Sequence, residues 1–241
     1  MTVWVFTVVK DYADVLGFFL RHYSAFADRI IAWDDASTDG STELLKACPI
    51  VDYRVWPYPG CGIQEELLLS FAQNNYPEAC GRAVWAIWVD PDEFIYSESL
   101  AVKLELLRSR GVQVIKPDGF NMMHEGMPAD DGRQIWEICK RGVPAEVYGK
   151  PVIFNPCARI GWDRGKHHLE RCPWIVPAQN TGIKLLHYRY LGYEYTRKRN
   201  ARNYDRCGID KSAAWTCDPN YQGEHSAEWA WKMLKTAKEV I

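Results

Sequence analysis

Apolar runs and amphipathic stretches alternate through residues 3–115, and that rhythm leaves few folds open to the chain. Val3 to Val9 is β-branched and apolar, a buried first strand. Asp11 and Asp14 can start a helix that carries Leu16, Phe19, Leu20 and Tyr23 on one side. Arg29 to Trp33 is a second strand, ending in Asp34-Asp35. Ala36 to Ser41 is turn chemistry, and Thr42 to Ala47 is a short helix. Val51 to Val55 is a third strand; Gly60 and Gly62 then break the chain before a helix over Gln64 to Asn74. Ala83 to Val89 is continuously apolar, so it predicts a central strand covered on both faces. Leu100 to Leu107 is helical, Gly111 ends it, and Val112 to Ile115 is a fifth strand. The pattern predicts an α/β fold with an open, mostly parallel, doubly wound sheet.

The second half is less regular. Val152 to Phe154, Ala158 to Ile160 and Ile183 to Tyr188 read as short strands. Leu191 to Arg206 and Ser226 to Val240 read as helices. Composition shifts beyond Cys207, which predicts a domain over 1–206 and a helical appendage over 207–241.

Composition removes several functions. The 241 residues carry a net charge of -2, so no global attraction to nucleic acid or an anionic membrane exists. No segment reaches the ~20 apolar residues of a membrane span, though peripheral contact with a membrane is compatible with the chain. None of the eight cysteines pair as C-x-x-C, and no basic stretch with an apolar run opens the sequence. Reduced thiols and a cytoplasmic protein are the expectation.

Ligands of open α/β sheets sit beyond the C-terminal strand ends, so polar residues there carry the chemistry. Strand one ends in Thr7 and Lys10, strand two in Asp34-Asp35, and the fourth strand in Asp90-Pro91-Asp92-Glu93-Phe94. No G-x-G-x-x-G follows strand one, and no Walker A loop exists. Two carboxylates two residues apart past a buried strand can face one side and suit a hard divalent ion.

Three ordered motifs then carry a resemblance. Val8-Val9-Lys10-Asp11, Trp33-Asp34-Asp35-Ala36-Ser37-Thr38-Asp39-Gly40-Ser41 and Trp88-Val89-Asp90-Pro91-Asp92-Glu93-Phe94 resemble those of family 2 and related GT-A glycosyltransferases, nearest to the subgroup with a D-x-D-E-F core. Asp11 and Tyr12 stand where many relatives carry Asn and Glu. The resemblance implies a Rossmann-like GT-A domain, with a nucleotide-binding half over 1–115 and an acceptor-side half over 116–206. It implies a nucleoside-diphosphate sugar such as a UDP-sugar as donor, Mn2+ or Mg2+ as cofactor, and transfer with inversion. The acceptor would be a glycan, a lipid-linked or a small-molecule hydroxyl.

Roles follow by position. Asp35 and Thr7 match contacts to the base, Gln64 a donor-site residue, Asp92 the direct metal ligand, and Asp90 a contact to ribose or the ion. His187, in Leu185-Leu186-His187-Tyr188-Arg189, matches a late histidine that completes the metal shell. At most one of His167 and His168 could join a site, since neighbours on extended chain face opposite ways. Lys10, at the end of strand one, joins the donor-binding candidates, and Arg189 or one of Arg197, Lys198, Arg199, Arg202 and Arg206 could neutralise the diphosphate. No motif fixes the general base: Asp163 is the first choice, with Glu125, Asp130 and Asp131 as rivals. Other readings are a sugar-phosphate nucleotidyltransferase, which lacks its expected Gly-rich, Arg-containing loop, a D-x-D phosphatase, whose motif belongs on strand one, and a non-catalytic nucleotide-sugar or carbohydrate-binding protein.

Overall fold

The computed structural model describes residues 1–59, 64–170, 172–206 and 223–241. Its strands are β1 (Val3–Val9), β2 (Arg29–Asp34), β3 (Val51–Val55), β4 (Trp85–Trp88), β5 (Glu93–Tyr96), β6 (Val114–Ile115), β7 (Asp118–His124), β8 (Arg141–Pro144), β9 (Ile153–Phe154), β10 (Gly161–Trp162), β11 (Leu169–Glu170), β12 (Lys184–Leu191) and β13 (Lys238–Glu239). The helices are α1 (Ala13–Ser24), α2 (Ser41–Ala47), α3 (Glu65–Asn75), α4 (Leu100–Ser109), α5 (Ile135–Ile138), α6 (Tyr193–Arg206) and α7 (Gly223–Leu234).

The first sheet runs β3-β2-β1-β4-β9-β6, with β1 to β4 all parallel. Strand β1 shows why this sheet is covered twice. Val3, Val5 and Val9 point into a core with Val15, Leu16 and Phe19 of α1, and Leu104 of α4. Trp4 and Phe6 point the other way, onto Trp33, Trp88 and Phe71 of α3. Period-two alternation with both faces apolar is what a doubly wound sheet requires. The chain moves outward from β1 to β3, then returns to place β4 on the other side of β1. The switch point therefore lies between β1 and β4, where a crevice opens at the strand ends.

A second sheet, ordered β13-β8-β7-β12-β5, was not expected from the sequence. Strand β12 pairs with β7 in parallel and with β5 antiparallel. The turn of Asp90 to Asp92 joins β4 of the first sheet to β5 of the second.

Several boundaries differ from expectation. Val112 to Ile115 shortens to β6 at the sheet edge, separated from β4 by the antiparallel β9. Ala158 to Ile160 is not a strand: Pro156 opens a 3-10 turn, and Arg159 is left-handed at φ 50°. Leu191 ends β12, and Gly192, at φ 88°, breaks the chain before α6. The last helix stops at Leu234, and Lys238 and Glu239 return to pair with β8. Cys80 and Cys157 form a disulfide, which corrects the expectation of reduced thiols for that pair. Cys48, Cys139 and Cys172 are free, and burial raises the Cys139 thiol to about 12. Cys61, Cys207 and Cys217 lie outside the described residues. Among the described residues no helix is long and apolar enough to cross a membrane.

Candidate functional site

A cavity of about 390 Å³ opens at the switch point. Val8 near the end of β1 and Lys10 just past it, with Trp88 at the end of β4 and Asp90 and Pro91 beyond it, line its base. Glu65, Leu68, Leu69 and Ala72 of α3 make one wall. Tyr148 and Lys150, the turn from Arg164 to His167, His187 and Arg189 of β12, and Arg199, Asn200 and Asn203 of α6 make the others. Trp88 is held in place by stacking on Phe6 and Trp33, with ring centres 5.5 and 5.7 Å away.

The turn from Asp90 to Glu93 closes on itself. Glu93 N–H donates to the Asp90 carbonyl at 2.9 Å, and Asp90 N–H donates to Glu93 Oε2 at 3.0 Å. Three cations from three different elements converge on its carboxylates. Lys166 Nζ donates to Asp90 Oδ1 at 2.9 Å. Lys150 Nζ donates to Glu93 Oε1 at 2.6 Å and stands 3.8 Å from Asp90 Oδ2. Arg199 donates to Asp92 Oδ2 in a buried ion pair. His187 Nε2 lies 3.4 Å from the same Asp92 oxygen, and its Nδ1 is 3.3 Å from Asn121 Oδ1.

The charges explain the protonation states. Burial pushes the Asp90 carboxyl up, but Lys166 and Lys150 hold it down at about 2. Burial would also raise Asp92; Arg199 and then His187 hold it well below the usual carboxylate range. Burial would lower Lys150, yet Glu93 and Asp90 keep it above the ordinary lysine value. At the turn, burial and then the Lys150 charge lower His167.

Two of the residues expected to bind metal thus meet, Asp92 and His187, while Asp90 on the same turn is turned to Lys166 and Lys150. The donor set does not fit a resident divalent ion, however. Asp92 Oδ1 is buried without a hydrogen-bond partner, so one oxygen and one imidazole remain on offer. Among the described residues no three His, Cys, Asp or Glu side chains gather as a ligand set. Arg199 already holds the second Asp92 oxygen, and two lysines hold Asp90. Two unit charges ~4 Å apart interact by about 4 kcal/mol at an effective dielectric of ~20, so a divalent ion beside Arg199 would meet roughly twice that in repulsion.

The remaining expected residues divide into two groups. Lys10 and Arg189 line the cavity; Lys10 Nζ donates to the Ala36 carbonyl, and Arg189 donates to Asn200 Oδ1 at 3.2 Å. Thr7, Asp35 and Gln64 do not line it. Thr7 is fully buried and its Oγ1 has no hydrogen-bond partner. Asp35 is buried too, with its backbone N–H on the Val9 carbonyl at 2.9 Å. Gln64 is exposed, just before α3.

The Ser- and Thr-rich segment after β2 serves the fold. Asp11, Tyr12 and Ala13 donate their backbone N–H groups to Ser37 Oγ, Ser41 Oγ and Asp39 Oδ2, at 3.0, 2.9 and 2.9 Å. That loop caps α1 from outside, since α1 has no cap of its own. Asp34, not Asp35, accepts the Ser37 N–H, and Asp11 accepts the Thr38 N–H at 2.7 Å.

None of Asp163, Glu125, Asp130 and Asp131 lines the cavity. Asp163 accepts the His168 N–H and pairs with His168 Nδ1, both at 2.8 Å. Asp130 pairs with Arg21, and Asp131 with Arg133 at 2.7 Å. The cavity carboxylate that sequence reasoning missed is Glu65, whose Oε1 accepts the Gly165 N–H at 2.5 Å. Lys150 was also missed; its signal was a lysine between Gly149 and Pro151, beside an apolar pair.

No family model matches the chain, and no curated protein matches it. Solved structures of S. aureus TarS are similar. Residues 1-349 in complex with UDP-GlcNAc match at a TM-score of 0.45 and 13% identity, covering 96% of this chain and 78% of that chain. The same fragment in complex with UDP gives 0.44 and 13%, with the same coverage. A further structure of residues 1-349 gives 0.43 and 12%.

Proposed function

We propose that the chain is a GT-A-like glycosyltransferase that moves a sugar from a nucleoside-diphosphate sugar to an acceptor hydroxyl. One observation carries this reading. The switch-point cavity is lined both by aromatic and aliphatic side chains, Trp88, Leu68, Leu69 and Ala72, and by cations, Lys150, Lys166, Arg189 and Arg199. A nucleoside or sugar suits the first set, and a diphosphate suits the second.

The chemistry follows from that arrangement. Bond cleavage at the anomeric carbon places growing negative charge on the departing diphosphate. Fixed cations aimed at that charge stabilise it without reorganising. Lys10 and Asp90, which line the cavity, stand nearer the ribose and phosphates in this proposal, whereas Thr7, Asp35 and Gln64, outside the lining, have no assigned contact to the donor. An inverting transfer needs a base on the acceptor side. Glu65 lines the cavity, whereas Asp163 works there only through the neighbouring turn and His168. The acceptor is a glycan, a lipid-linked or a small-molecule hydroxyl.

Labelled UDP-, GDP- and dTDP-sugars provide the test. Release of the nucleoside diphosphate from one of them is the expected result, slow with water, which frees the sugar, and faster with an acceptor mixture, which takes up the label. Binding without any turnover would favour a non-catalytic nucleotide-sugar receptor. Asp163→Asn and Glu65→Gln separate the bases: the true one loses transfer and keeps donor binding.

A further inference from the structure

We propose that the site holds the donor diphosphate without a divalent cation, the Arg199 guanidinium standing where an ion would be expected. The proposal rests on the nucleotide-sugar reading above.

An ion in such a corner has two tasks. It neutralises the carboxylates of the acidic turn, and it presents positive charge to the phosphates. Protein groups here perform both. Asp90, Asp92 and Glu93 are matched by Lys166, Arg199 and Lys150 respectively. The acidic turn is thereby neutral before any ligand arrives. Arg189 and Lys10 then add positive charge to the lining.

These cations are built into the fold. Arg199 is buried on α6 and passes Tyr12, with its guanidinium carbon 6.0 Å from the Tyr12 ring centre. Lys166 sits in a tight turn, with Gly165 at φ 75° and Lys166 itself at φ 63°. A Cβ on Gly165 would lie 2.3 Å from His167 Nε2, and the Gly165 N–H is pinned by Glu65. The strained turn is therefore fixed, and it delivers Lys166 to Asp90. Lys150 is buried between Glu93 and Asp90. A guanidinium is always charged and binds phosphate oxygens in pairs, so Arg199 can exchange or share Asp92 with a diphosphate.

Isothermal titration of the full chain with UDP, GDP and dTDP tests this, once in EDTA and once in Mn2+ or Mg2+. The expected result is binding of one nucleotide in EDTA, with affinity changed by less than about threefold on adding metal. Arg199→Lys should weaken that binding by about tenfold and leave it metal-independent, consistent with loss of a paired contact. Because Arg199 is buried, circular dichroism must show each variant folded; Lys166→Gln, in a less buried place, gives a second reading in the same direction. Binding that requires Mn2+ or Mg2+ overturns the proposal and leaves the glycosyltransferase reading standing. No binding of any nucleotide in either condition removes both. Unchanged affinity in folded Arg199→Lys and Lys166→Gln also overturns it, since the cations would then be structural only.

Discussion

Lys150 Nζ lies 2.6 Å from Glu93 Oε1, and both side chains are buried. The pair ties the segment before β9 to the first residue of β5, and so ties the two sheets. Removing one partner leaves a buried charge, which typically costs ~3–5 kcal/mol. Glu93→Gln should therefore lose about that much in urea denaturation. The double variant Glu93→Gln with Lys150→Met should recover much of the loss. A single variant that loses under ~1 kcal/mol would show that Asp90, 3.8 Å from Lys150, or water still compensates the lysine.

His22 supplies a pH dependence. Its Nε2 lies 2.9 Å from the Ile95 carbonyl, among Tyr23, Phe26 and Phe94. Burial lowers it from 6.5 to about 4, against a smaller upward pull from the Ile95 bond. The unfolded chain thus takes up the proton more readily than the folded one. Stability from this group is complete above pH 6.5 and is lost as pH falls toward 4, with about 2 kcal/mol gone at pH 5. Comparing wild type with His22→Gln at pH 7 and pH 5 checks it. The variant should show a smaller drop, and equal drops would remove His22 as the cause.

Asp39 is expected to matter for α1, although it lies on the loop after β2. Its carboxylate accepts Ala13 N–H and both Ser41 N–H and Oγ–H. Burial raises Asp39 and these bonds, Ser41 first, lower it overall. Asp39→Ala should cost ~1–2 kcal/mol, as for loss of a helix cap. Thermal melts would show it, and a shift no larger than that of Glu43→Ala would argue against the capping role.

Trp88 reports on the cavity. It lines the floor and stacks on Phe6 and Trp33. A nucleotide that binds should change tryptophan fluorescence, and Trp88→Phe should abolish most of that change while keeping the fold. A signal that survives in Trp88→Phe would place the ligand against another indole.

The first sheet was legible because its strands are long or wholly apolar. Val3–Val9 and Trp85–Trp88 alternate between two covered faces, and no helix pattern competes there. The second sheet was not legible. Strand β7 carries Asn121 and His124 among its apolar residues, and β8 is four residues with Gly142 and Pro144. Such segments gain their identity from neighbours distant in sequence, as β7 does from β12. At the site, the resemblance paired Asp92 with His187 across 95 residues, and they meet because β12, which carries His187, pairs antiparallel with β5 just after Asp92. The partner Arg199 was one of five basic residues on a helix that looked solvated, and nothing local marked it as buried. Lys150 was invisible for a similar reason: its carboxylate partner lies 57 residues away.

The turn of residues 90–93 is also one of the places where the chain crosses between the sheets, from β4 in one to β5 in the other. On the proposed reading, a substitution at Asp90, Asp92 or Glu93 would disturb donor recognition and architecture together. A lineage acquiring a new donor would then find that ground closed and would have to change the walls instead: the α3 face at Leu68 and Leu69, and the α6 face at Asn200 and Asn203. Divergence among close relatives should accordingly be read along those two helices, with the acidic turn standing still between them.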